Sequence, residues 1–80
     1  MHRLGPSPII KRSIVCGGHK TSVSLENEFW QLFKEMARAR DMSLSELFAE
    51  FDQTRPEDCT MSSHIRTSIL NAVIERNMAK

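Results

Sequence analysis

Three polar side chains with hydrogen-bonding capacity occupy alternate positions in one short stretch of this chain. They are Lys20, Ser22 and Ser24, and the positions beside them hold β-branched or apolar residues, namely Thr21, Val23 and Leu25. Alternation with a period of two predicts a half-buried strand over residues 19–25. Its exposed face would carry two hydroxyl groups and one ammonium group, which can form hydrogen bonds to a partner while filling little space.

A second group of residues has the spacing of metal ligands. Cys16 and His19 form a Cys-x-x-His pair, and a complete site would need further ligands from His2, Cys59 or His64. Structural zinc is usually held by two such pairs or their equivalent, whereas one pair is more simply explained as strand and turn residues. We therefore expect neither a metal nor any other cofactor.

Catalytic residue patterns are missing from the sequence. It has no Ser/His/Asp spacing, no paired-carboxylate pattern and no glycine loop that would cradle a phosphate. The aromatic residues have the spacing of core positions, and they are Phe29, Trp30, Phe33, Phe48 and Phe51. The chain is therefore not expected to be an enzyme.

The length of 80 residues corresponds to one small domain. A domain of this size is marginally stable as a monomer, and disulfides, a metal or oligomerisation usually stabilise it. Cys16 and Cys59 do not make a disulfide framework and suit a reduced, cytoplasmic compartment. No apolar run is long enough to cross a bilayer. We expect a cytoplasmic homo-oligomer that does not contact a membrane.

The net charge of +1 conceals an uneven distribution along the chain. Residues 1–24 contain four Lys or Arg residues and no acidic residue, which gives +4. Residues 25–80 contain seven Lys or Arg and ten Asp or Glu residues, which gives −3. A basic segment of this kind indicates nucleic-acid contact or, equally well, a solvated basic tail.

Proline, glycine and polar clusters divide the chain into four segments. The segments are a flexible basic arm over residues 1–12, a domain over 13–52, a linker over 53–60 and a C-terminal helix over 61–78 that packs on the same core. Within the domain, residues 13–16 are β-prone and precede Gly17-Gly18. A Gly-Gly pair between two β-prone runs makes either a tight hairpin turn or a flexible joint.

Two helices are predicted between the strand and the linker. Residues 26–40 have apolar positions at i, i+4 and i+7, and Asp41 is expected to end this helix in the left-handed conformation. Ser43 and Glu46 form an S-x-x-E capping box at the start of the second helix.

The predicted strand needs a partner for its backbone donors and acceptors. Unless residues 13–16 fold back, the order strand–helix–helix supplies no second strand. An intertwined homodimer would pair each strand with its antiparallel copy. The resulting fold would be mainly α-helical with a short β-ribbon, and a two-stranded ribbon fits the major groove of B-DNA.

The run KTSVSLENEFWQLFKEMARARDMSLSELFAEFD, which spans residues 20–52, resembles the ribbon-helix-helix superfamily of bacterial regulators of the Arc/MetJ type. The phrases KRSIVCGGHKTSVSLENEFW, MSLSELFAEFD and MSSHIRTSIL are similar to a small proteobacterial subfamily of ribbon-helix-helix domains. The resemblance covers about residues 11–75 and implies a repressor-like regulator of transcription that binds double-stranded DNA as a homodimer.

The resemblance also implies a role for individual residues. Base reading by alternate strand residues falls on Lys20, Ser22 and Ser24, since lysine can bond guanine and serine can bond several bases. Phosphate binding at the start of the second helix falls on the backbone of Ser43, Leu44 and Ser45. Nearby basic residues are expected to add phosphate contacts, and they are Lys11, Arg12 and His19. The rival hypothesis is a protein-interaction module or the antitoxin of a toxin–antitoxin pair, in which another protein is the partner.

Overall fold

The structure is a computed structural model that describes residues 8–78. It contains two strands followed by three helices, in the order β1 (Ile9–Cys16), β2 (His19–Glu26), α1 (Asn27–Ala39), α2 (Leu44–Thr54) and α3 (Met61–Met78). This arrangement confirms a mainly α-helical fold with a short β-ribbon and an additional C-terminal helix. No helix in the described range is long and apolar enough to cross a membrane.

Strands β1 and β2 pair antiparallel and form a hairpin. Gly17 and Gly18 connect them, with φ angles of 61° and 80°. Two successive residues with positive φ make the type I′ turn, whose twist matches that of the flanking strands. The Gly-Gly pair is therefore a hairpin turn rather than a flexible joint.

Strand β1 begins at Ile9, so residues 9–12 belong to a strand although the sequence pattern assigned them to the basic arm. Residues 1–7 of the predicted arm lie outside the described residues. The first strand thus supplies the partner that β2 requires from within the same chain. The edge of β2 that pairs with β1 therefore needs no strand from a second copy. Pairing with a second copy along the opposite edge of β2 stays a prediction.

One face of the hairpin packs against the helices. Val23 and Leu25 of β2 are buried, as the alternation predicted, and Ile14 of β1 joins them. The remaining buried residues come from all three helices, and they are Phe33, Ala37, Leu47, Phe48, Phe51, Ile65 and Ile69. A single core therefore joins the hairpin and the helices, which holds the opposite face of the hairpin in a fixed orientation.

The end of α1 is a Schellman motif. Asp41 has a φ angle of 56°, which confirms the predicted left-handed residue. The Met42 N–H donates to the Ala37 carbonyl at 2.8 Å, and the Asp41 N–H donates to the Arg38 carbonyl at 3.1 Å. This tight turn brings the start of α2 close to the last turn of α1.

Helix α2 begins with the predicted capping box. The Ser43 hydroxyl accepts a hydrogen bond from the Glu46 N–H at 3.1 Å, and the Glu46 carboxylate accepts one from the Ser43 N–H at 2.8 Å. Helix α3 follows the linker, and the Thr60 hydroxyl caps it by accepting from the Ser63 N–H at 3.1 Å. Both helices therefore begin at residues that the local sequence specifies.

Candidate nucleic-acid interface

The face of the hairpin that points away from the helices carries most of its polar side chains. Cross-strand partners lie on the same face of a sheet, and the register pairs Lys11 with Ser24, Ser13 with Ser22, and Val15 with Lys20. We call these six residues the outer face. Ser24 is half-buried and the other five are exposed. The structure thus brings the three predicted base-reading residues together and adds three residues of β1 to them.

The start of α2 lies beside one edge of this outer face. The Ser45 hydroxyl, in the first turn of α2, donates a hydrogen bond to the backbone carbonyl of Val15. Val15 is the cross-strand partner of Lys20, near the turn of the hairpin. The predicted phosphate-binding residues Ser43, Leu44 and Ser45 therefore lie beside the outer edge of β1, and β1 separates them from the predicted base-reading strand β2.

The first turn of α2 has the properties of an anion-binding site. The capping box uses the N–H groups of Ser43 and Glu46, and within the described part of the chain no protein group accepts from the N–H groups of Leu44 and Ser45. Unpaired N–H groups and the helix dipole both favour a negative charge at this end. The arrangement suits a phosphate group that lies beside the outer face.

Two cations border this helix terminus. Lys34 and Arg38 line a hollow of about 500 Å³ together with Ser43, Leu44 and the acidic residue Asp41. The resemblance to the superfamily did not indicate these two cations as site residues, because they lie on α1 rather than on the strand or α2. Their spacing of four residues on one helix face was a signal that could have found them.

The other edge of the hairpin is held by α3. The Ser62 hydroxyl donates to the backbone carbonyl of Ser24 at 2.7 Å. The outer face is thus flanked by α2 on the β1 side and by α3 on the β2 side. No signal in the sequence indicated that either serine hydroxyl would contact the hairpin.

The three basic residues predicted to contact phosphate near the hairpin do not all lie on the outer face. Lys11 lies on the outer face, opposite Ser24. Arg12 has the opposite orientation, since its guanidinium carbon lies 5.4 Å from the centre of the Trp30 ring and its Nη2 donates to the Leu25 carbonyl at 3.4 Å. His19 is exposed beside the turn.

An ion pair joins the end of β2 to α3. The Arg66 Nε atom lies 2.8 Å from the Glu26 carboxylate, and both side chains are about three-quarters buried, with exposed fractions of 27% and 25%. The hydrogen bond from Arg66, followed by one from the backbone of Glu26 itself, lowers the pKa of the Glu26 carboxyl below its ordinary value, against a smaller opposing effect of burial. The lowered pKa favours the charged carboxylate, whose ion pair with Arg66 is one of the contacts between β2 and α3.

The residues with the spacing of metal ligands are not grouped around a common site among residues 8–78. No group of three or more His, Cys, Asp or Glu side chains in that range could hold a metal ion. The ring Nε2 of His64 lies 3.0 Å from the Thr54 hydroxyl instead. Cys16 and Cys59 are free thiols, and His2 lies outside the described residues.

Comparison with known proteins agrees with the fold. The model of the ribbon-helix-helix domain family matches residues 9–73, and the chain belongs to that family. Ribbon-helix-helix domains generally occur in DNA-binding transcription regulators or antitoxins, and they form dimers. No curated protein and no solved structure matches the chain significantly.

Proposed function

We propose that this chain is a sequence-specific DNA-binding protein, a repressor-like bacterial regulator of transcription that acts in the cytoplasm. The observation that carries the proposal is the hydrogen bond from Ser45 to the Val15 carbonyl. It places the anion-attracting start of α2 beside a polar, exposed strand face. DNA recognition needs this combination, because phosphate contacts position a protein and base contacts specify the site.

The outer face has the size and chemistry for the major groove. The groove is about 12 Å wide and admits a two-stranded ribbon. Lys20 would donate to the O6 and N7 atoms of guanine, and the hydroxyls of Ser22 and Ser24 would donate to or accept from several bases. Since the buried face of the hairpin is fixed by the core, these side chains would meet the groove without a rearrangement of the fold.

The phosphate contacts would come mainly from the start of α2 and its neighbours. The N–H groups of Leu44 and Ser45 point out of the helix terminus, and Lys34 and Arg38 add positive charge at the same hollow. Lys11 and His19 are exposed on the hairpin and could reach the backbone on either side. Arg12, which packs on Trp30, contributes through the fold instead.

Salt-dependent binding to random duplex DNA tests this proposal. Affinity measured by fluorescence anisotropy should fall steeply between 50 and 200 mM salt, because each phosphate contact releases counterions. Arg38→Ala should reduce the slope of log K against log salt by about one. Arg55→Ala is the matched control, since it removes an arginine from the C-terminal end of α2, opposite the proposed phosphate site. Absence of binding by the unaltered protein at low salt would contradict the proposal.

We also infer a homodimer, with the contact on the apolar face of α1 and α3. Leu70, Val73 and Ile74 of α3 are 51%, 39% and 52% exposed, and Leu32 of α1 is 38% exposed. Leu32 and Val73 line a hollow of about 450 Å³ between the two helices. A second copy is the favoured occupant, because a chain of this size gains needed stability by burying such a patch.

Sedimentation of Val73→Asp tests the dimer contact. A carboxylate at the centre of an apolar interface should convert a micromolar dimer into a folded monomer. The exposed residue Gln53 of α2 supplies the control, and Gln53→Asp should leave the dimer intact. If Val73→Asp remains dimeric, the contact lies elsewhere, and pairing along the outer edge of β2 becomes the explanation.

The second candidate function is a protein-interaction module or the antitoxin of a toxin–antitoxin pair. The same apolar face of α1 and α3 favours it, since a partner protein could occupy the face in place of a second copy. A monomer that fails to bind duplex DNA but forms a stoichiometric complex with the product of a neighbouring gene would establish this function.

A further inference from the structure

We propose that Asp41 is a built-in attenuator of DNA affinity, whose carboxylate competes with nucleic-acid phosphate for the hollow at the start of α2. The inference rests on the proposed DNA-binding function and adds a residue that opposes binding. The sequence assigned Asp41 only the end of α1, yet this residue lines the hollow to which the proposed function assigns a phosphate contact.

Asp41 is the acidic residue among those that line this hollow. The hollow has a volume of about 500 Å³, and its other polar lining residues are Lys34, Arg38 and Ser43. Lys34, Arg38 and Asp41 form no ion pair with any residue that the structure describes. The two cations are therefore not committed to a carboxylate elsewhere, and Asp41 shares the hollow with any phosphate that they attract.

The backbone conformation of Asp41 does not require a carboxylate. Its φ angle of 56° is a left-handed conformation that glycine adopts most easily and that asparagine tolerates as aspartate does. The residue lies at the negative end of the α1 dipole, which disfavours its charge, and near the positive end of the α2 dipole, which favours it. Because these two effects oppose each other, the turn gains little from the negative charge, and the charge has its main consequence in the hollow.

That consequence is repulsion between like charges. A phosphate bound to the N–H groups of Leu44 and Ser45 would lie beside the Asp41 carboxylate, and two anions in one hollow repel each other. Arg38, Asp41 and Ser43 are exposed, so solvent and salt screen this repulsion. We expect it to lower the affinity for duplex DNA about fivefold at low salt.

This attenuation acts on all duplexes alike, because phosphate contacts carry no sequence information. It weakens binding to non-specific DNA without altering the preferred site. A genome offers a very large number of non-specific sites, so weaker non-specific binding leaves more of the protein free in solution. Asp41 thus acts on how long the protein is held by any duplex and not on which sequence it prefers.

The affinity of Asp41→Asn for random duplex DNA tests the proposal. Asparagine keeps the size of the side chain and tolerates the left-handed conformation, so thermal unfolding should show a folded variant. Fluorescence anisotropy should give an affinity about fivefold higher than that of the unaltered protein at 50 mM salt. The gain should shrink at 200 mM salt as screening increases. Sequences selected from a random duplex pool should not change.

Asp58→Asn is the matched control, since it removes the same charge from an exposed position in the linker after α2. It should leave the affinity unchanged. An equal gain in both variants would show that only the net charge matters and would overturn the proposal. An affinity of Asp41→Asn that is unchanged, or that falls because the carboxylate positions Lys34 or Arg38 for phosphate, would also overturn it.

Fluorescence of Trp30 reports on the hollow without DNA. Trp30 is the one tryptophan in the sequence, and the Lys34 Nζ atom lies 6.0 Å from the centre of its ring. An anion that draws Lys34 into the hollow should therefore change the emission of Trp30. In a titration with inorganic pyrophosphate at constant ionic strength, Asp41→Asn should be half-saturated at about one-fifth of the concentration that the unaltered protein needs.

The two measurements separate this inference from the proposed function. If the unaltered protein and Asp41→Asn bind duplex DNA with equal affinity, DNA binding stands and the attenuator is wrong. If neither binds duplex DNA, the proposed function fails, and the pyrophosphate titration decides about the hollow. A higher pyrophosphate affinity of Asp41→Asn would then support competition by the carboxylate, and equal affinities would overturn it.

Discussion

The two faces of the β-hairpin are built from the same two strands but have opposite properties. On the inner face, Ile14, Val23 and Leu25 are at most 5% exposed and pack on three helices. On the outer face, every residue except Ser24 is exposed. Since the core fixes the hairpin from one side only, the outer residues can change without a large change in stability. The difference shows how a small fold can vary the residues of one exposed face while it keeps its core.

The largest expected effect comes from the inner face. Leu25→Ala removes a fully buried side chain, and the resulting cavity should lower the free energy of unfolding by roughly 2–5 kcal/mol. Val15→Ala on the outer face is the comparison and should change it by about 1 kcal/mol or less. Urea unfolding monitored by circular dichroism measures both. Equal losses would mean that the outer face is also covered.

The start of α2 belongs to both aspects of the comparison, since its capping box stabilises the helix and the proposed function assigns a phosphate contact to it. Ser43→Ala should cost about 1 kcal/mol of stability through loss of the cap. Ser43→Asp should keep the cap, because aspartate caps helices well, but it should weaken binding to every duplex by repelling phosphate. Thermal unfolding and anisotropy together separate the two effects. Unchanged affinity in Ser43→Asp would remove this helix terminus from the interface.

Lys20 provides the corresponding test of the outer face. Lys20→Ala should change the free energy of unfolding by no more than about 0.5 kcal/mol, while the preference for guanine in selected sites disappears. Lys20→Arg should retain that preference, because arginine also donates to guanine O6 and N7. A variant that loses affinity equally for all sequences would show that Lys20 contacts phosphate rather than a base.

The smallest expected effect is a change in how the stability of the fold depends on pH, and it comes from Glu26 at the end of β2. The pKa of Glu26 is lowered in the folded protein, mainly by the hydrogen bond from Arg66. Its contribution to stability is therefore complete above the ordinary pKa of 4.5 and is lost as the pH falls through the lower folded value. Below pH 4.5 the stability of Glu26→Gln should decline less steeply than that of the unaltered protein. Parallel curves of stability against pH for the two proteins would show that Glu26 does not cause the loss of stability at low pH.

Local signals in the sequence predicted the elements that depend on neighbouring residues. The alternation of β2, the capping box at Ser43 and Glu46, and the left-handed Asp41 are all found in the structure. Each is decided within a few residues, by side-chain period, by one reciprocal pair of hydrogen bonds, or by one backbone angle. The Gly17-Gly18 pair was compatible with two structures, and only the pairing of residues on both sides identified the turn.

The features that depended on distant residues were not predictable in this way. Nothing near Arg12 indicated that its guanidinium would pack on Trp30. The hydrogen bonds that Ser45 and Ser62 make to the hairpin span 30 and 38 residues of sequence. The spacing of Lys34 and Arg38 placed both on one face of α1, but only the packing of α1 against α2 showed that this face borders the hollow at the start of α2.

The sequence by itself determined which side of β2 would be buried and which would remain polar, because side chains alternate strictly along a strand. Only the tertiary structure decided what lies across from that strand. The partner is β1 of the same chain, since a two-residue turn keeps the two strands together at little cost in chain entropy. With that pairing, the polar face that the sequence indicated on β2 became a surface of two strands, flanked by α2 and α3.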